Sequence, residues 1–145
     1  MQYIAQCYAP ELLGGSPERC AEIDMVYAQL KECKQSITGP CYTGGDRRKL
    51  TELAKQKMKP IVEYLGKKEY LFGAELSFLD FYMLEQCEFV EWLTEQTFLS
   101  ENKPLGRYIK RMKGQKKVKA YMRSDKFKEV GLFNNTSAKI NGPLN

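Results

Sequence analysis

Gly73-Ala74-Glu75-Leu76-Ser77-Phe78-Leu79-Asp80-Phe81-Tyr82-Met83-Leu84, residues 73–84, decides how the rest of the chain is read. A serine and an aspartate three positions apart stand in front of the most apolar run in the sequence. Asp80 is either a carboxylate placed for acid–base chemistry or part of a helix start. With Ser77 as N-cap, Asp80 falls at the third helical position. There its carboxylate bonds back to the Ser77 amide while the serine hydroxyl accepts from the Asp80 amide. Leu76 and Phe81 flank this box at the spacing of a hydrophobic staple. Acid–base work would need a titratable partner, and the nearest acids, Glu75 and Glu85, lie outside the motif. The capping reading is the stronger. At a buried helix end the first amides cannot turn to water, so losing a good cap costs about 1 kcal/mol, and up to roughly 2.

The helix that starts here runs to about Phe98. Its apolar residues, from Phe78 and Leu79 to Trp92 and Leu93, cover nearly the whole circumference. A helix apolar all round is buried on all sides, so this one is expected at the centre of the domain. Helical spacing dominates elsewhere, and no stretch alternates as a strand. Residues 1–8 read as a helix end. Ser16-Pro17 with Glu18 marks a helix start whose inward face holds Ile23, Val26, Tyr27, Leu30, Cys33 and Ile37; Thr38-Gly39-Pro40 is expected to end it, leaving Cys41-Tyr42 in a loop. Leu50, Leu53, Ala54, Met58, Ile61, Val62 and Leu65 mark a second long helix, with a kink expected at Pro60 and a stop at Gly66. Pro104 opens a shorter helix stopped by Gly114, and a last one covers about 116–123 with Val118, Tyr121 and Met122 inward. From Lys128 the chain reads as extended and irregular, through Gly142-Pro143. The fold class is therefore all-α: about five to six helices around one buried core helix.

Composition limits the chemistry. The 145 residues are 43% hydrophobic and 28% charged, as in an ordinary globular domain. There is no histidine, which removes Ser-His-Asp and Cys-His machinery and most zinc sites; no metal and no cofactor is expected. The five cysteines form no CxxC pair and read as free thiols. The N-terminus has neither signal-peptide blocks nor transit-peptide arginines, so the default expectation is cytoplasmic. The net charge of +5 is uneven: residues 107–128 hold ten Lys/Arg against one Asp. A solvated helical face explains that stretch better than nucleic-acid binding, and no nucleic-acid partner is expected.

Residues 73–81 resemble the capping-box segment that opens the core helix of the helical domain in cytosolic glutathione transferases. Glu63-Tyr64-Leu65-Gly66-Lys67-Lys68, Gly106-Arg107-Tyr108-Ile109-Lys110-Arg111-Met112-Lys113-Gly114, Lys119-Ala120-Tyr121-Met122-Arg123-Ser124 and Ala138-Lys139-Ile140-Asn141-Gly142 are similar to segments of the mu class, in the same order. The resemblance implies that residues 1–13 are a remnant of the linker-side helix of a thioredoxin-like domain, 14–128 the helical domain, and 129–145 an irregular tail. It also implies that the glutathione-binding, tyrosine-bearing domain of the family has no counterpart in this chain. Two family positions carry over. Tyr42, in Cys41-Tyr42, matches a tyrosine that lines the electrophile pocket; a loop aromatic packed on the bundle explains it equally well. Glu32 falls where the family has an aspartate that reaches glutathione across a dimer, though an exposed helix carboxylate is the simpler reading. None of these residues is expected to be catalytic in the chain as it stands.

Three functions follow as expectations. The first is a non-catalytic interaction or structural subunit, in which a protein partner or self-association covers the face that the family packs on its first domain. The second is the C-terminal part of a mu-like transferase that conjugates glutathione, its co-substrate, to electrophiles. A weaker third is binding of an apolar ligand or RNA by residues 107–128.

Overall fold

A computed structural model describes residues 1–142 and folds them into eight α-helices: Gln2–Tyr8 (α1), Pro17–Thr43 (α2), Arg47–Leu65 (α3), Phe78–Leu93 (α4), Phe98–Glu101 (α5), Lys103–Gly114 (α6), Lys116–Met122 (α7) and Asp125–Val130 (α8). A 3-10 turn, Pro10–Leu13, joins α1 to α2. Among the described residues the only extended pairing is one isolated bridge, Tyr70 with Gly73. The all-α class stands. The count exceeds five or six because the expected core helix breaks after Leu93 and because Asp125–Val130 forms a further helix that reaches into the stretch expected to be extended from Lys128. Residues 143–145, the end of the expected tail, lie outside the described residues.

Local chemistry explains most boundaries. The Ser16 hydroxyl accepts from the Arg19 amide at 3.2 Å, with Pro17 at the first helical position. Asp46 caps α3 by accepting from the Arg48 amide at 2.8 Å. α3 continues through Pro60 to a stop at Gly66. Two boundaries differ from expectation. α2 does not end at Thr38-Gly39-Pro40 but runs on to Thr43. Proline has a helix-compatible φ, but it removes one amide donor and crowds the carbonyl four residues earlier, so a helix that continues past it needs support from the next turn. Cys41, four residues after Ile37 and buried like it, holds the next turn on the core. Its thiol donates to the Ile37 carbonyl at 3.3 Å. The helix stops where Gly44 takes a left-handed φ of 81° and the Gly44 and Gly45 amides both return to the Pro40 carbonyl.

The second difference is the break after α4. No glycine or proline marks it; Glu95 and Gln96 adopt positive φ of 55° and 67°. The turn is held from outside itself. Glu91 Oε2 accepts from the Leu99 amide at 2.8 Å, and Thr94 Oγ1 accepts from the Phe98 amide at 3.3 Å. Phe98 is thereby turned into the core.

α4 is the central element, with Leu79, Met83, Cys87 and Val90 fully enclosed by α2, α3 and α6. Each such side chain contributes about 1.5–3 kcal/mol of apolar burial. Its N-terminus is organised by Asp80, which is itself 0% exposed. Ser77 and Asp80 close a capping box. Asp80 Oδ2 accepts from the Ser77 amide at 2.8 Å and from the Ser77 hydroxyl at 2.9 Å. Oδ1 accepts from the Leu71 amide and the Tyr108 hydroxyl, both at 2.9 Å. One carboxylate thus joins the turn at 70–73, the start of α4 and the middle of α6. Leu76 and Phe81 are half-buried against the same core.

After α8 the chain folds back onto the helices. The Lys139 and Ile140 amides both donate to the Cys41 carbonyl, at 2.8 and 3.1 Å. Asn141 Nδ2 donates to the carbonyls of Asn134 and Asn135 at 3.0 Å, clamping the tail into a loop. Phe133 packs on Phe89 and Trp92 with ring centroids 5.4 and 6.0 Å away.

Asp80→Ala leaves the Leu71 and Ser77 amides without their acceptor, at about 1–3 kcal/mol each, and leaves the Tyr108 hydroxyl only the longer bond to the Asp80 backbone carbonyl at 3.3 Å. Urea denaturation is expected to show a loss of at least about 3 kcal/mol, or no folded protein, whereas Ser77→Ala loses about 1. The exposed Glu75→Ala is the control and stays within about 0.5 kcal/mol of wild type. Equal midpoints for Asp80→Ala and Glu75→Ala would contradict this account.

Candidate functional site

Tyr42 and Glu32 both lie on α2, ten positions apart, which puts them about 15 Å apart along the axis. They do not share a pocket. The half-buried Tyr42 turns its hydroxyl to the returning chain, accepting from the Asn135 amide at 3.2 Å. Glu32 is exposed and pairs with Lys57 of α3 at 2.8 Å. Asp80, the most buried acid, has all its hydrogen-bond partners inside the protein and opens onto no cavity. The structure therefore gathers none of the sequence-derived candidates into one reactive site.

The titratable groups give a consistent electrostatic picture. Burial pushes the Cys33 thiol up to about 11, against a small opposing pull from Lys57. Cys87 is held well above its ordinary value by desolvation, and Cys41 is raised by the same cause. Desolvation and then the neighbouring Asp80 raise the Tyr108 hydroxyl far above the usual tyrosine range. Tyr64, which donates to Glu22 at 2.6 Å, and Tyr82 are also raised, chiefly by burial. Each of these groups is pushed toward its neutral form. An activated nucleophile requires the opposite shift. The two thiols at the surface are Cys7 and Cys20. Among the described residues no group of three or more Cys, Asp or Glu could hold a metal ion.

What the molecule does offer is a concave apolar surface. A cleft of about 640 Å³ opens between α4, α7 and α8, lined by Phe81, Leu84, Val118, Met122 and Phe127 and flanked by Met1. Tyr121 and Val130 also line it and are 51% and 56% exposed. α7 has no buried residue at all. Of the three residues expected to face inward, Val118 is half-buried and packs against the core, Met122 is half-buried, and Tyr121 is exposed, a correction for Tyr121. The domain ends one layer earlier, at α4 and α6, so these side chains form a wall of the cleft. The sequence signal was present: three apolar residues on one side of a lysine-rich helix. Periodicity alone does not say whether such a stripe has a partner. A smaller groove of about 220 Å³ lies between α2 and α3, at Met25, Pro60 and Tyr64. Neither Tyr42 nor Glu32 lines either depression. No helix among the described residues is long and apolar enough to cross a membrane.

Comparison with known proteins follows the same lines. Residues 31–125, about two thirds of the chain, match the family model described as glutathione S-transferase, C-terminal domain. A glutathione S-transferase class-mu 26 kDa isozyme of Fasciola hepatica, isozyme 51, is 28% identical over 130 residues, covering 88% of this chain and 58% of its own. Isozyme 7 of the same organism is 28% identical over 144 residues, covering 94% and 63%. Glutathione S-transferase Mu 1 of Bos taurus is 26% identical over 136 residues, covering 92% and 61%. The chain spans about three fifths of the length of these relatives.

Two predictions follow from the geometry. Because the folded-state values of Cys33, Cys87 and Tyr108 lie above those of the unfolded chain, their contribution to stability is complete below about pH 8.5. It is lost as pH rises, for Cys33 between about 8.5 and 11. The urea midpoint is expected to fall over that window, with a shallower decline in Cys33→Ala. A maleimide is expected to label Cys7 and Cys20 in the native protein and the other three thiols only after denaturation. A flat midpoint, or rapid labelling of all five, would contradict the burial described. Separately, a Cβ at Gly142 would overlap the Trp92 indole. Gly142→Ala is expected to lift the tail, shift Trp92 emission to the red and open residues 131–142 to protease; an unchanged spectrum and digest would refute the docking.

Proposed function

The chain belongs to the glutathione S-transferase C-terminal domain family, and on that basis we propose that it works as a non-catalytic, protein-binding helical domain. The observation that carries this reading is the cleft between α4, α7 and α8. Binding sites are concave and mostly apolar, with aromatic side chains prominent in their lining. Here four aromatic side chains, Phe81, Tyr121, Phe127 and Phe133, line one depression of about 640 Å³. The electrostatics support the same reading. Buried thiols and hydroxyls are pushed toward their neutral forms, and the candidates for substrate contact, Tyr42 and Glu32, are engaged by the tail and by Lys57. A covered cleft would turn an aggregation hazard into a specific interface and bury the exposed faces of Tyr121 and Val130.

A second reading is favoured by one observation, the printed names of the relatives. They are glutathione S-transferases of the mu class, and the chain spans about three fifths of their length. In this reading residues 1–142 supply the helical part of an enzyme that adds glutathione, as co-substrate, to electrophiles, with Tyr42 near the electrophile and Glu32 reaching across a dimer.

The experiment compares the 145-residue protein with the double variant Tyr121→Asp, Val130→Asp, two exposed positions whose substitution leaves the core intact. Light scattering after gel filtration and a native pull-down are expected to show wild type in complex and the double variant alone. A wild-type chain that stays monomeric and retains nothing would sink the interaction reading. The same protein is expected to show no turnover of glutathione with a chloronitrobenzene. Measured turnover would overturn the non-catalytic reading in favour of the second.

A further inference from the structure

Residues 102–124 hold nine Lys/Arg and no acid. Arg111 and Lys113 are engaged by Glu69 and Glu88, at 4.0 and 2.7 Å. The flanking acids, Glu101 and Asp125, are held by Lys55 and Lys128 at 2.9 and 3.0 Å. Six cations remain that are exposed, line no part of the cleft and make no ion pair among the described residues: Lys103, Arg107, Lys110, Lys116, Lys119 and Arg123. The helices set them in rows. Spacings of four and three residues put Lys103, Arg107 and Lys110 on one face of α6, opposite the buried Leu105, Tyr108, Ile109 and Met112. Spacings of three and four put Lys116, Lys119 and Arg123 on one side of α7 and its C-cap, away from the half-buried Val118 and Met122. Each row is about 10 Å long at 1.5 Å per residue. The rows meet at Gln115, whose extended ψ of 129° ends α6 and precedes α7.

We propose that these two rows bind the phosphate backbone of a single-stranded nucleic acid, without regard to base sequence. The proposal is independent of the cleft. Charge count alone fits a solvated face; the fold adds that six like charges stand in two rows with no counter-charge beside them. Like charges three and four apart on a helix repel, and a polyanion laid along them relieves that repulsion. Counterions select among polyanions. An acidic protein segment offers exposed ion pairs, each worth little, whereas a nucleic acid also releases the ions condensed on its backbone, a gain that grows with every phosphate contacted. A bilayer finds little to hold. Apart from the cleft-lining Lys117 and Tyr121, the other exposed residues of this stretch are Pro104, Gly114 and Ala120, with no large apolar side chain to insert. The rows hold no aromatic ring, so phosphates rather than bases set the binding. A flexible strand follows the turn at Gln115, while a duplex, stiff over about 150 base pairs, lies along one row only.

A fluorescently labelled oligouridylate and a mixed-sequence strand of equal length test the proposal. Each is titrated with the full 145-residue protein by anisotropy, between about 50 and about 200 mM salt. The two strands are expected to bind alike. The logarithm of Kd is expected to rise with that of salt at a slope of about 3 to 4, as four to six phosphate contacts at about 0.7 each require. The triple variant Lys116→Gln, Lys119→Gln, Arg123→Gln is expected to bind at least roughly tenfold more weakly at low salt, with the slope reduced by about 2 and an unchanged circular dichroism spectrum. Lys31→Gln, Lys49→Gln, Lys67→Gln removes the same charge from exposed positions elsewhere and is expected to change affinity by no more than about twofold. No binding at low salt, or an equal loss in both triple variants, overturns the proposal. Tighter binding of a duplex of the same length overturns the single-strand assignment. Tighter binding of phosphatidylserine vesicles or of polyglutamate than of the oligouridylate overturns the proposal in favour of a lipid or an acidic-protein surface.

Discussion

The bond network of Asp80 is the constraint on which the rest of the domain depends. A fully buried carboxylate is expensive to remove from water unless every lone pair is engaged. Here it receives four donors from three separate segments and, among the described residues, no cation. The Leu71 amide fixes the approach of the 70–73 turn, the Ser77 pair starts α4, and Tyr108 pins α6 against it. The arrangement is mutual: the carboxylate raises the proton affinity of the Tyr108 hydroxyl and so keeps it a donor. Because each partner satisfies another, the network has little tolerance for partial assembly. It sets where α4 begins, and α4 sets where everything else packs.

That centre also shapes what is left for function. Once α4 is enclosed by α2, α3 and α6, the buried thiols and phenols become neutral packing groups. Its N-terminal half still shows Phe81 and Leu84 toward α7 and α8. Neither of these two short helices has a fully buried residue. They are held in place by their connections and by contacts such as the Tyr121–Phe127 edge-to-face pair at 5.5 Å. Their apolar sides and cationic flanks are therefore presented outward together.

Much of this was legible from the residues. Serine followed by proline at 16–17, the Ser77–Asp80 spacing and Pro104 each act within one turn of helix, so the signal and its effect are neighbours in sequence. The family was legible for the same reason, since its segments recur in order along the chain. What could not be read depends on distant partners. The break after Leu93 needs the Glu91 carboxylate to reach the Leu99 amide. The extension of α2 past Pro40 needs the burial of Cys41, whose carbonyl then receives two amides of the returning tail. Tyr42, consistent with either a pocket or a packed aromatic, has its hydroxyl committed to Asn135, ninety-three residues away.

The sequence by itself determined the starts of α2, α4 and α6, the identity of the buried central helix and the family to which the chain belongs. All of these rest on the 3.6-residue period and on caps that act locally. Tertiary structure alone decided which apolar stripes found partners. α6 turned its stripe into the core, while α7, with a stripe of the same kind, packed only its edge at Val118 on the core and became the wall of a cleft. Hydrophobic pattern specifies that a face is to be covered. Only the packing of the whole chain determines whether its own helices do the covering.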